Sequence, residues 1–261
     1  MTGVLGAVEA VGRGAIGACR ATGRLTVFAG LGLSHMLRPP FQGRMFLRAL
    51  VEIGYFSLPV VALTAVFTGM VLALQSSTGL SRFSADSAVA SLVVLSVTRE
   101  LGPVLAGLMV AGRVGAAMAA EIGTMRVTDQ IDALSTLSTD PMKYLVAPRL
   151  LAGLVALPLL VVVADILGVL GGFIIATVKL GFNSAVYLNN TLTFLQTEDV
   201  VSGLVKAAVF GFLIALMGCF HGYNSRGGAQ GVGAATTSAV VGASVLILAF
   251  DYVLTELFFG R

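Results

Sequence analysis

Residues 87–120 read SAVASLVVLSVTRELGPVLAGLMVAGRVGAAMAA, and this stretch decides the fold. Its charged residues are Arg99, Glu100 and Arg113, and the other positions are apolar, small or hydroxyl-bearing. A helix needs about 20 mostly apolar residues to cross a bilayer. At ~1.5 Å per residue, this stretch is long enough to cross the membrane and project beyond it. We therefore expect one long membrane-spanning helix here.

The rest of the chain also has the composition of a membrane protein. Of its 261 residues, 57% are hydrophobic and 11% are charged, whereas roughly 25% are charged in soluble domains. Further charge-poor stretches predict spans at about residues 53–75, 144–178, 201–223 and 236–259. The predicted fold class is an all-α integral membrane protein with an N-terminal interfacial helix and about five transmembrane helices.

The same composition argues against several classes of function. Short polar connectors leave no room for a soluble catalytic domain, so residues 1–261 are expected to form a single membrane domain that is not an enzyme. No GxxxxGK[ST] phosphate loop occurs, so we expect no ATP, no metal and no other cofactor bound by this chain itself. The two cysteines and two histidines are isolated. Basic residues mostly flank apolar segments, which indicates membrane topology and not nucleic-acid binding.

Residues 1–48 differ from the spans because they contain six arginines among Val, Leu, Ile and Phe. Pro39 and Pro40 interrupt any helix in this segment. The pattern predicts an amphipathic helix lying in the membrane interface on the cytoplasmic side. Because the arginines break any apolar core, we expect no cleaved signal peptide.

The distribution of Lys and Arg predicts the orientation. Of the sixteen Lys and Arg residues, eleven lie inside if three parts of the chain are cytoplasmic. These parts are the N-terminus, the 121–149 segment together with Arg113, and the 222–235 loop. Four, including Lys206, then lie outside. Because basic residues concentrate on the cytoplasmic side, residues 121–143 are expected to form a cytoplasmic loop and the C-terminus to be external.

Arg99 and Glu100 are charges at membrane depth, between the uncharged stretches 87–98 and 101–112. An ionised group inside a span costs at least ~2.5 kcal/mol and normally faces protein or a water-filled cavity, so the two are functional-site candidates. A structural charge pair that holds helices together is the alternative. Neighbours on a helix point about 100° apart, so we expect different contacts for each. Pro103 removes a backbone hydrogen bond one turn later and is expected to open the helix there.

Residues 121–143 read EIGTMRVTDQIDALSTLSTDPMK and contain a second candidate site. Val127, Ile131, Leu134 and Leu137 recur at the spacing of one helical face. Thr128 is expected to cap this helix and Pro141 to end it. The apolar face and two aspartates suit docking into a groove on another protein. Packing on its own bundle, or lying on lipid headgroups, is the alternative.

Small residues and further acids complete the candidates. Ala111, Gly115 and Ala119 recur every four residues and allow close helix approach, either within the chain or between two copies. Further acids lie in or near the spans, and they could form a proton relay or be structural hydrogen-bonding groups. These acids are Asp165, Asp251 and Glu256.

Residues 99–134, RELGPVLAGLMVAGRVGAAMAAEIGTMRVTDQIDAL, resemble the signature stretch of the MlaE/YrbE permease family, the membrane subunits of Mla and Mce lipid transporters. The resemblance continues in FTGMVLALQ at 67–75, DPMKYLVAPRLLAG at 140–153 and FDYVLTELFFG at 250–260. It therefore covers nearly the whole chain.

The resemblance implies a homodimeric permease in the bacterial inner membrane, bound to a cytosolic ABC ATPase that holds ATP and Mg²⁺. It also implies a periplasmic ring of MCE-domain proteins and often a small cytosolic STAS-domain subunit. The expected cargo is glycerophospholipid, moved between the inner membrane and the MCE carrier, which maintains outer-membrane lipid asymmetry.

The resemblance also implies two sets of site residues. The lipid-binding set is Arg99, Glu100, Leu101, Leu72, Gln75, Leu80 and Phe83. The ATPase-coupling set is Val127, Asp129, Ile131, Asp132 and Leu134.

Three other functions stay open at this point. An Mce-type permease for steroid or fatty-acid cargo would share the same architecture. A proton-coupled secondary transporter would use Glu100, Asp165 or Asp251, but it would need inverted repeats, which the sequence does not show. A membrane scaffold without transport activity would tolerate neutral replacement of Arg99 and Glu100.

Overall fold

A computed structural model describes residues 2–36, 38–39, 42–80 and 88–260. All regular secondary structure within these residues is helical. The α-helices are α1 (Thr2–Met36), α2 (Gly43–Ile53), α3 (Leu58–Leu80), α4 (Ala88–Ser96), α5 (Gly102–Val110), α6 (Ala116–Val127), α7 (Gln130–Thr136), α8 (Ala147–Val178), α9 (Ser184–Phe194), α10 (Thr197–Tyr223) and α11 (Gly228–Phe259). Short π-helical segments cover Val97–Leu101, Ala111–Gly115 and Met142–Val146.

Among the residues that the structure describes, five helical stretches are long and apolar enough to cross a membrane, and we number them as spans. In chain order they are Gly43–Leu80, Ala88–Val127, Met142–Val178, Thr197–Tyr223 and Gly228–Phe259. The predicted all-α membrane fold with five spans is therefore confirmed. The first span exceeds its predicted bounds at both ends and each of the other spans at one end, because the helices continue into the more polar flanking residues.

The connections place two short helices at opposite ends of the bundle. α7 joins the second span to the third, and α9 joins the third to the fourth. Because consecutive spans cross in opposite directions, these connections define an α7 end and an α9 end. α9 begins at Asn183, whose Oδ1 accepts from the backbone N–H groups of Ala185 and Val186.

The long helix α1 is not among the spans. It packs on the bundle through Phe28, whose ring lies 5.5 Å from that of Phe220 and 5.8 Å from that of Tyr223. Both partners lie in the last turn of α10, so α1 contacts the bundle at the α7 end.

Glycine pairs let the spans approach until their backbones touch. A Cβ on Gly69 of α3 would collide with the carbonyl of Gly168 in α8, and one on Gly153 would collide with the carbonyl of Gly211 in α10. Close backbone approach through small residues is the usual way that helices associate in membranes. α8 is thereby fixed between the first and fourth spans.

The row of small residues at Ala111, Gly115 and Ala119 packs within the chain. All three are buried, and a Cβ on Gly218 or Gly222 of α10 would come within about 3 Å of the carbonyls of Gly115 and Ala119. Of the two uses predicted for this row, the structure thus shows intrachain packing.

Arg113 lies inside the second span and ties it to the start of the first. Its Nη1 donates to the carbonyl of Glu52, 3.2 Å away, and to Ser57 Oγ, 2.9 Å away. These acceptors lie where the helix tightens between α2 and α3. Lys206 also lies inside a span. Arg113 and Lys206 were therefore wrongly counted among the residues outside the spans. The excess of Lys and Arg at the α7 end remains without them.

Candidate functional site

Arg99, one of the two charged residues predicted at membrane depth, joins the second span to the fourth through Asp199. Arg99 Nε and Nη2 each lie 2.6 Å from Asp199 Oδ1. The second carboxylate oxygen of Asp199 accepts from the backbone N–H of Gln196, which caps α10. Asp199 is fully buried, so the helix cap fixes the carboxylate that orients Arg99.

The guanidinium of Arg99 also lies against the fifth span. Its central carbon is 4.4 Å from the ring centroid of Phe259, within the ~6 Å range of a cation–π contact. The Arg99 side chain nevertheless remains 34% exposed. Part of the Arg99 side chain is therefore accessible.

Glu100 takes a different partner, as the angle between neighbouring helical residues predicts. Lys206 Nζ lies 2.7 Å from Glu100 Oε2 and 2.7 Å from Thr255 Oγ1, and it forms an ion pair of 3.0 Å with Asp251 Oδ1. The Lys206 side chain is completely buried. A buried lysine needs such partners because an unpaired charge is very unfavourable there. Thr255 and Asp251 both lie in α11, so Lys206 joins the fourth span to the fifth as well as to the second.

Pro103 explains why this polar cluster lies at this point of the second span. Proline has no N–H, so it cannot donate to the carbonyl four residues earlier, that of Arg99. Lys206 Nζ donates to this carbonyl at 3.1 Å. The preceding carbonyl, of Thr98, faces Gly203, where a Cβ would collide with it. The fourth span thus contacts the carbonyls of Thr98 and Arg99 next to the π-helical turn and the proline.

We call these five ionisable side chains the charged cluster: Arg99, Glu100, Asp199, Lys206 and Asp251. With all five ionised, the cluster holds two cations and three carboxylates. The exposed parts belong to Arg99, Glu100 and Asp251, at 34%, 36% and 21% of their side chains. The cluster can therefore hold the second, fourth and fifth spans together and still present polar groups to a bound molecule.

The second candidate site, at the α7 end, differs in detail from its prediction. The second span ends at Val127, and the helix resumes at Gln130 after a turn in which Asp129 has φ +57°. Asp129, not Thr128, occupies the N-cap position, and Thr128 Oγ1 donates to the carbonyl of Thr124. The predicted cap is therefore wrong. Pro141 does not end the helix either, because α7 stops at Thr136.

The apolar face of α7 lies against its own bundle. Ile131 is 1% exposed and belongs to the main core, and Leu134 packs against that core. Leu137 is 75% exposed. The remaining surface is polar and includes Asp129 and Asp132. Any partner of α7 would thus meet its acidic side, while Ile131 fixes the helix in place.

Ionic contacts tie the segment around α7 to neighbouring elements. Arg126 Nη1 lies 2.6 Å from Asp132 Oδ1, and Arg149 Nη2 lies 2.8 Å from Glu121 Oε2. Lys143 donates to the carbonyl of Pro39 at 2.8 Å. α7 is therefore linked to the end of the second span, which is itself linked to the third span through Glu121 and Arg149.

Comparison with known proteins decides the family. The family model described as Permease MlaE matches residues 46–257. A probable ABC transporter permease protein of Rickettsia felis is 56% identical over 256 residues, which cover 98% of this chain and 99% of that protein. The chain belongs to the MlaE permease family.

More distant MlaE-like proteins match along most of this chain as well. The intermembrane phospholipid transport system permease protein MlaE of Haemophilus influenzae is 34% identical over 258 residues, with 97% of each chain covered. Protein TRIGALACTOSYLDIACYLGLYCEROL 1, chloroplastic, of Arabidopsis thaliana is 36% identical over 233 residues, covering 89% of this chain and 67% of that protein. The resemblance read from residues 99–134 is thus confirmed.

The MlaE match contains all five members of the charged cluster and the whole of α7. The remaining residues of the predicted lipid set lie elsewhere. Leu72 and Leu80 pack on a smaller core at the α9 end, and Gln75 is exposed. Leu101 lines a narrow crevice between the first and second spans. Phe83 lies outside the described residues, and the lipid-binding role of this set stays a prediction.

Sequence reasoning missed Lys206 and Asp199 as partners in this MlaE permease. Lys206 was placed among outer basic residues, although it interrupts an apolar stretch in the same way as Arg99 does. The rule that an ionisable residue inside a span is a functional candidate would have identified it. Asp199 was placed in a connector, whereas the helix begins at Thr197.

The other acids of the spans have different surroundings. Asp251 joins the charged cluster through its ion pair with Lys206, although its Oδ1 has no hydrogen bond among the described residues. Glu256 is exposed. Asp165 Oδ1 is buried and has no hydrogen-bond partner among the described residues.

Proposed function

We propose that the chain is the membrane-spanning permease subunit of an ATP-driven lipid transporter in a bacterial inner membrane. Its cargo is glycerophospholipid, moved between that membrane and a periplasmic carrier built of MCE-domain proteins, and this transport maintains outer-membrane lipid asymmetry. The observation that carries the proposal is the end-to-end likeness to the Haemophilus influenzae permease named for intermembrane phospholipid transport.

The charged cluster supports a lipid with a polar headgroup. Arg99 is oriented by Asp199 and keeps 34% of its side chain exposed. Guanidinium groups bind phosphate through paired N–H donors. A phosphate at Arg99 would lie close to Phe259, whose ring also offers apolar contact to an acyl chain. The fixed cluster thus provides a preorganised position for a headgroup at membrane depth.

A second copy of the chain would complete the transporter. In the first and fifth spans only 22% of the most apolar window is buried, compared with 50–61% in the other spans. Their exposed faces carry Phe67 and Val71 in α3, and Val245 and Leu248 in α11. We propose that these two spans face the partner permease and that the lipid cavity lies between the copies.

The α7 end would bind the ATPase. Asp129 and Asp132 present an acidic surface there, and electrostatic complementarity gives such contacts their specificity. ATP and Mg²⁺ would be held by this separate cytosolic subunit, and a small STAS-domain protein would bind beside it. MCE-domain proteins would bind at the opposite, α9 end.

The second span would transmit the motion. It continues from Ala88 to Val127 through two π-helical segments, over 40 residues, so it measures about 60 Å at ~1.5 Å per residue. It carries Arg99 and Glu100, and α7 directly follows it. Closure of two ATPase subunits would move the α7 helices together, and the rigid span would carry that displacement to the lipid site.

Purification from native membranes followed by reconstitution tests this function. We expect an ATPase to co-purify and to drive transfer of a fluorescent phospholipid between proteoliposomes and a soluble acceptor. Arg99→Ala should reduce the transfer at least tenfold, whereas Arg20→Ala, at an exposed position of α1, serves as the control. Transfer that continues without ATP and stops with a protonophore would indicate a secondary transporter.

Two further outcomes separate the remaining candidates. Transfer of a steroid or fatty acid in preference to phospholipid would indicate the Mce-type cargo. Unchanged growth and membrane composition after neutral replacement of both Arg99 and Glu100 would support a scaffold. Lipid extraction from the purified complex, followed by mass spectrometry, identifies the bound lipid directly.

A further inference from the structure

The charged cluster does not balance its own charges. Among the described residues, Arg99 forms an ion pair with Asp199 only, whereas Lys206 forms ion pairs with both Glu100 and Asp251. The first pair is neutral, and the second group has one carboxylate more than it has cations. The Lys206 side chain is completely buried, while those of Glu100 and Asp251 are 36% and 21% exposed. The excess negative charge therefore belongs to the two partly exposed carboxylates.

Arg99 does not use all of its hydrogen-bond donors within the protein. A guanidinium group carries five N–H donors, and the nitrogens of Arg99 that contact Asp199 are Nε and Nη2. Its third nitrogen, Nη1, has no hydrogen bond within the part of the chain that the structure describes. A phosphate that binds Arg99 through Nη1 would thus leave the pair with Asp199 intact.

The helical segments beside the cluster add carboxylates and no cations. Glu198 precedes Asp199 in the first turn of α10, and Glu256 follows Asp251 on α11. Both glutamates are exposed, and neither residues 197–203 nor residues 251–259 contain Lys or Arg. Salt screens partly buried charges much less than exposed ones. The acidic excess therefore acts on any headgroup that approaches Arg99.

The cation and the excess carboxylates adjoin the same face of α11. The ring centroid of Phe259 lies 4.4 Å from the central guanidinium carbon of Arg99, and Thr255 Oγ1 lies 3.2 Å from Glu100 Oε1. Thr255 and Phe259 are four residues apart, so they are neighbours on the helix surface, with about 5–6 Å between their Cβ atoms. In an ethanolamine headgroup two carbons join the phosphate to the ammonium group. One such headgroup can therefore reach both positions.

We propose that the charged cluster selects phospholipids whose headgroup carries a primary ammonium group as well as the phosphate, as in phosphatidylethanolamine. This inference rests on the proposed transport function and specifies its cargo. The phosphate accepts from Nη1 of Arg99, and the ammonium group donates to the carboxylates of Glu100 and Asp251. The headgroup thereby places a positive charge beside the carboxylate that has no cation of its own.

Two other common headgroups match the cluster less well. The headgroup of phosphatidylglycerol brings a phosphate without a cation, so it adds a negative charge to an acidic site, and like charges brought together oppose binding. Phosphatidylcholine carries a cation, but three methyl groups replace the N–H donors that would bind the carboxylates. Charge-assisted hydrogen bonds are the stronger kind. Both lipids should therefore bind more weakly than phosphatidylethanolamine.

Native mass spectrometry of the full chain in detergent measures these affinities directly. The three phospholipids carry identical acyl chains and are titrated separately, so that only the headgroup differs. Phosphatidylethanolamine should bind about fivefold more tightly than phosphatidylglycerol, which corresponds to ~1 kcal/mol for a partly exposed ion pair. Free phosphoethanolamine at an equal concentration should not displace the lipid, because it has no acyl chains to contact the protein.

Removing one carboxylate should remove the preference. Asp251→Asn keeps an oxygen that can accept from Lys206 but loses the charge, so the affinity ratio of the two lipids should fall below about twofold. Glu100→Gln should have the same effect and provides a second variant if the first does not fold. Glu52→Gln, at an exposed position of α2, is the matched control and should keep the native ratio. Thermal unfolding checks that each variant is folded.

Three results would overturn the proposal. The first is binding of phosphatidylglycerol or phosphatidylcholine that equals or exceeds that of phosphatidylethanolamine. The second is an unchanged affinity ratio in the folded Asp251→Asn and Glu100→Gln proteins, and the third is displacement of the lipid by free phosphoethanolamine. These measurements need neither ATP nor an acceptor. Absent lipid transfer in proteoliposomes, with the binding preference intact, would instead contradict the proposed transport.

Discussion

Lys206 donates a hydrogen bond to the backbone carbonyl of Arg99, 3.1 Å from its Nζ. The N–H that would normally fill this position in an α-helix belongs to residue 103, which is proline. A side chain from the fourth span thus replaces a missing backbone donor in the second. The same ammonium group holds Glu100, so the irregular helix and the charge pairing depend on each other.

Replacing Pro103 tests this dependence. Pro103→Ala supplies an N–H for the carbonyl of Arg99, so Lys206→Met should then cost less than it does in the native background. We expect a coupling free energy of about 0.5–1.5 kcal/mol, the net value of one hydrogen bond. Unfolding of the four proteins in detergent measures it. Pro158→Ala in α8 is the control, and equal coupling for both prolines would contradict the assignment.

Removing the lysine itself should strongly destabilise the bundle. Lys206→Met leaves the partly exposed carboxylates of Glu100 and Asp251 without their cation, and we expect a loss of about 1–3 kcal/mol in unfolding free energy. Adding Glu100→Gln and Asp251→Asn removes these unpaired charges and should recover most of the loss. A triple variant as unstable as Lys206→Met alone would show that packing, and not charge, gives Lys206 its importance.

Asp199 has two roles that conservative substitutions can separate. Asp199→Asn keeps an oxygen that accepts from Gln196 and caps α10, but it loses the charge that faces Arg99. Asp199→Ala loses both. We expect the alanine variant to be less stable than the asparagine variant by about 1 kcal/mol, the usual value of an N-terminal cap. Equal stability of the two variants in thermal unfolding would remove the capping role.

Two glycines of α3 provide a matched test of helix packing. A Cβ at Gly69 would collide with the carbonyl of Gly168, whereas nothing lies within 4 Å of one at Gly79. Gly69→Ala should therefore separate α3 from α8 and destabilise the fold by about 1–3 kcal/mol. Gly79→Ala should be neutral or stabilising by up to ~1 kcal/mol. Similar melting temperatures for the two variants would refute this packing.

The fold could be predicted from sequence because it depends on local patterns. Apolar stretches of sufficient length mark each span independently of the others, and the resemblance of residues 99–134 adds the family. The bounds were less accurate, since helices continue past the point where hydrophobicity falls. The first span begins at Gly43 and not near residue 53, because α2 joins it through one tightened turn.

The partners of the charged pair could not be predicted in the same way. Arg99 meets Asp199 one hundred positions later, and Glu100 meets Lys206 across a similar separation. Such pairings depend on how whole spans pack, and no local spacing encodes them. The helical period did show that Arg99 and Glu100 point in different directions. The helical period could not show that the apolar face of α7 packs against the core of its own bundle.

Asp132 provides the test of the α7 end. Its partner Arg126 is 2.6 Å away, but both side chains are partly exposed, and such ion pairs contribute about 0–1 kcal/mol. Asp132→Lys should therefore insert and fold normally. It reverses a charge on the surface proposed to bind the ATPase, so we expect the co-purified ATPase to fall at least tenfold. Asp132→Asn should retain more of it, and Lys179→Asp, beyond the other end of α8, should have no effect. Full retention of the ATPase by Asp132→Lys would exclude this surface, because like charges brought together at an interface oppose association.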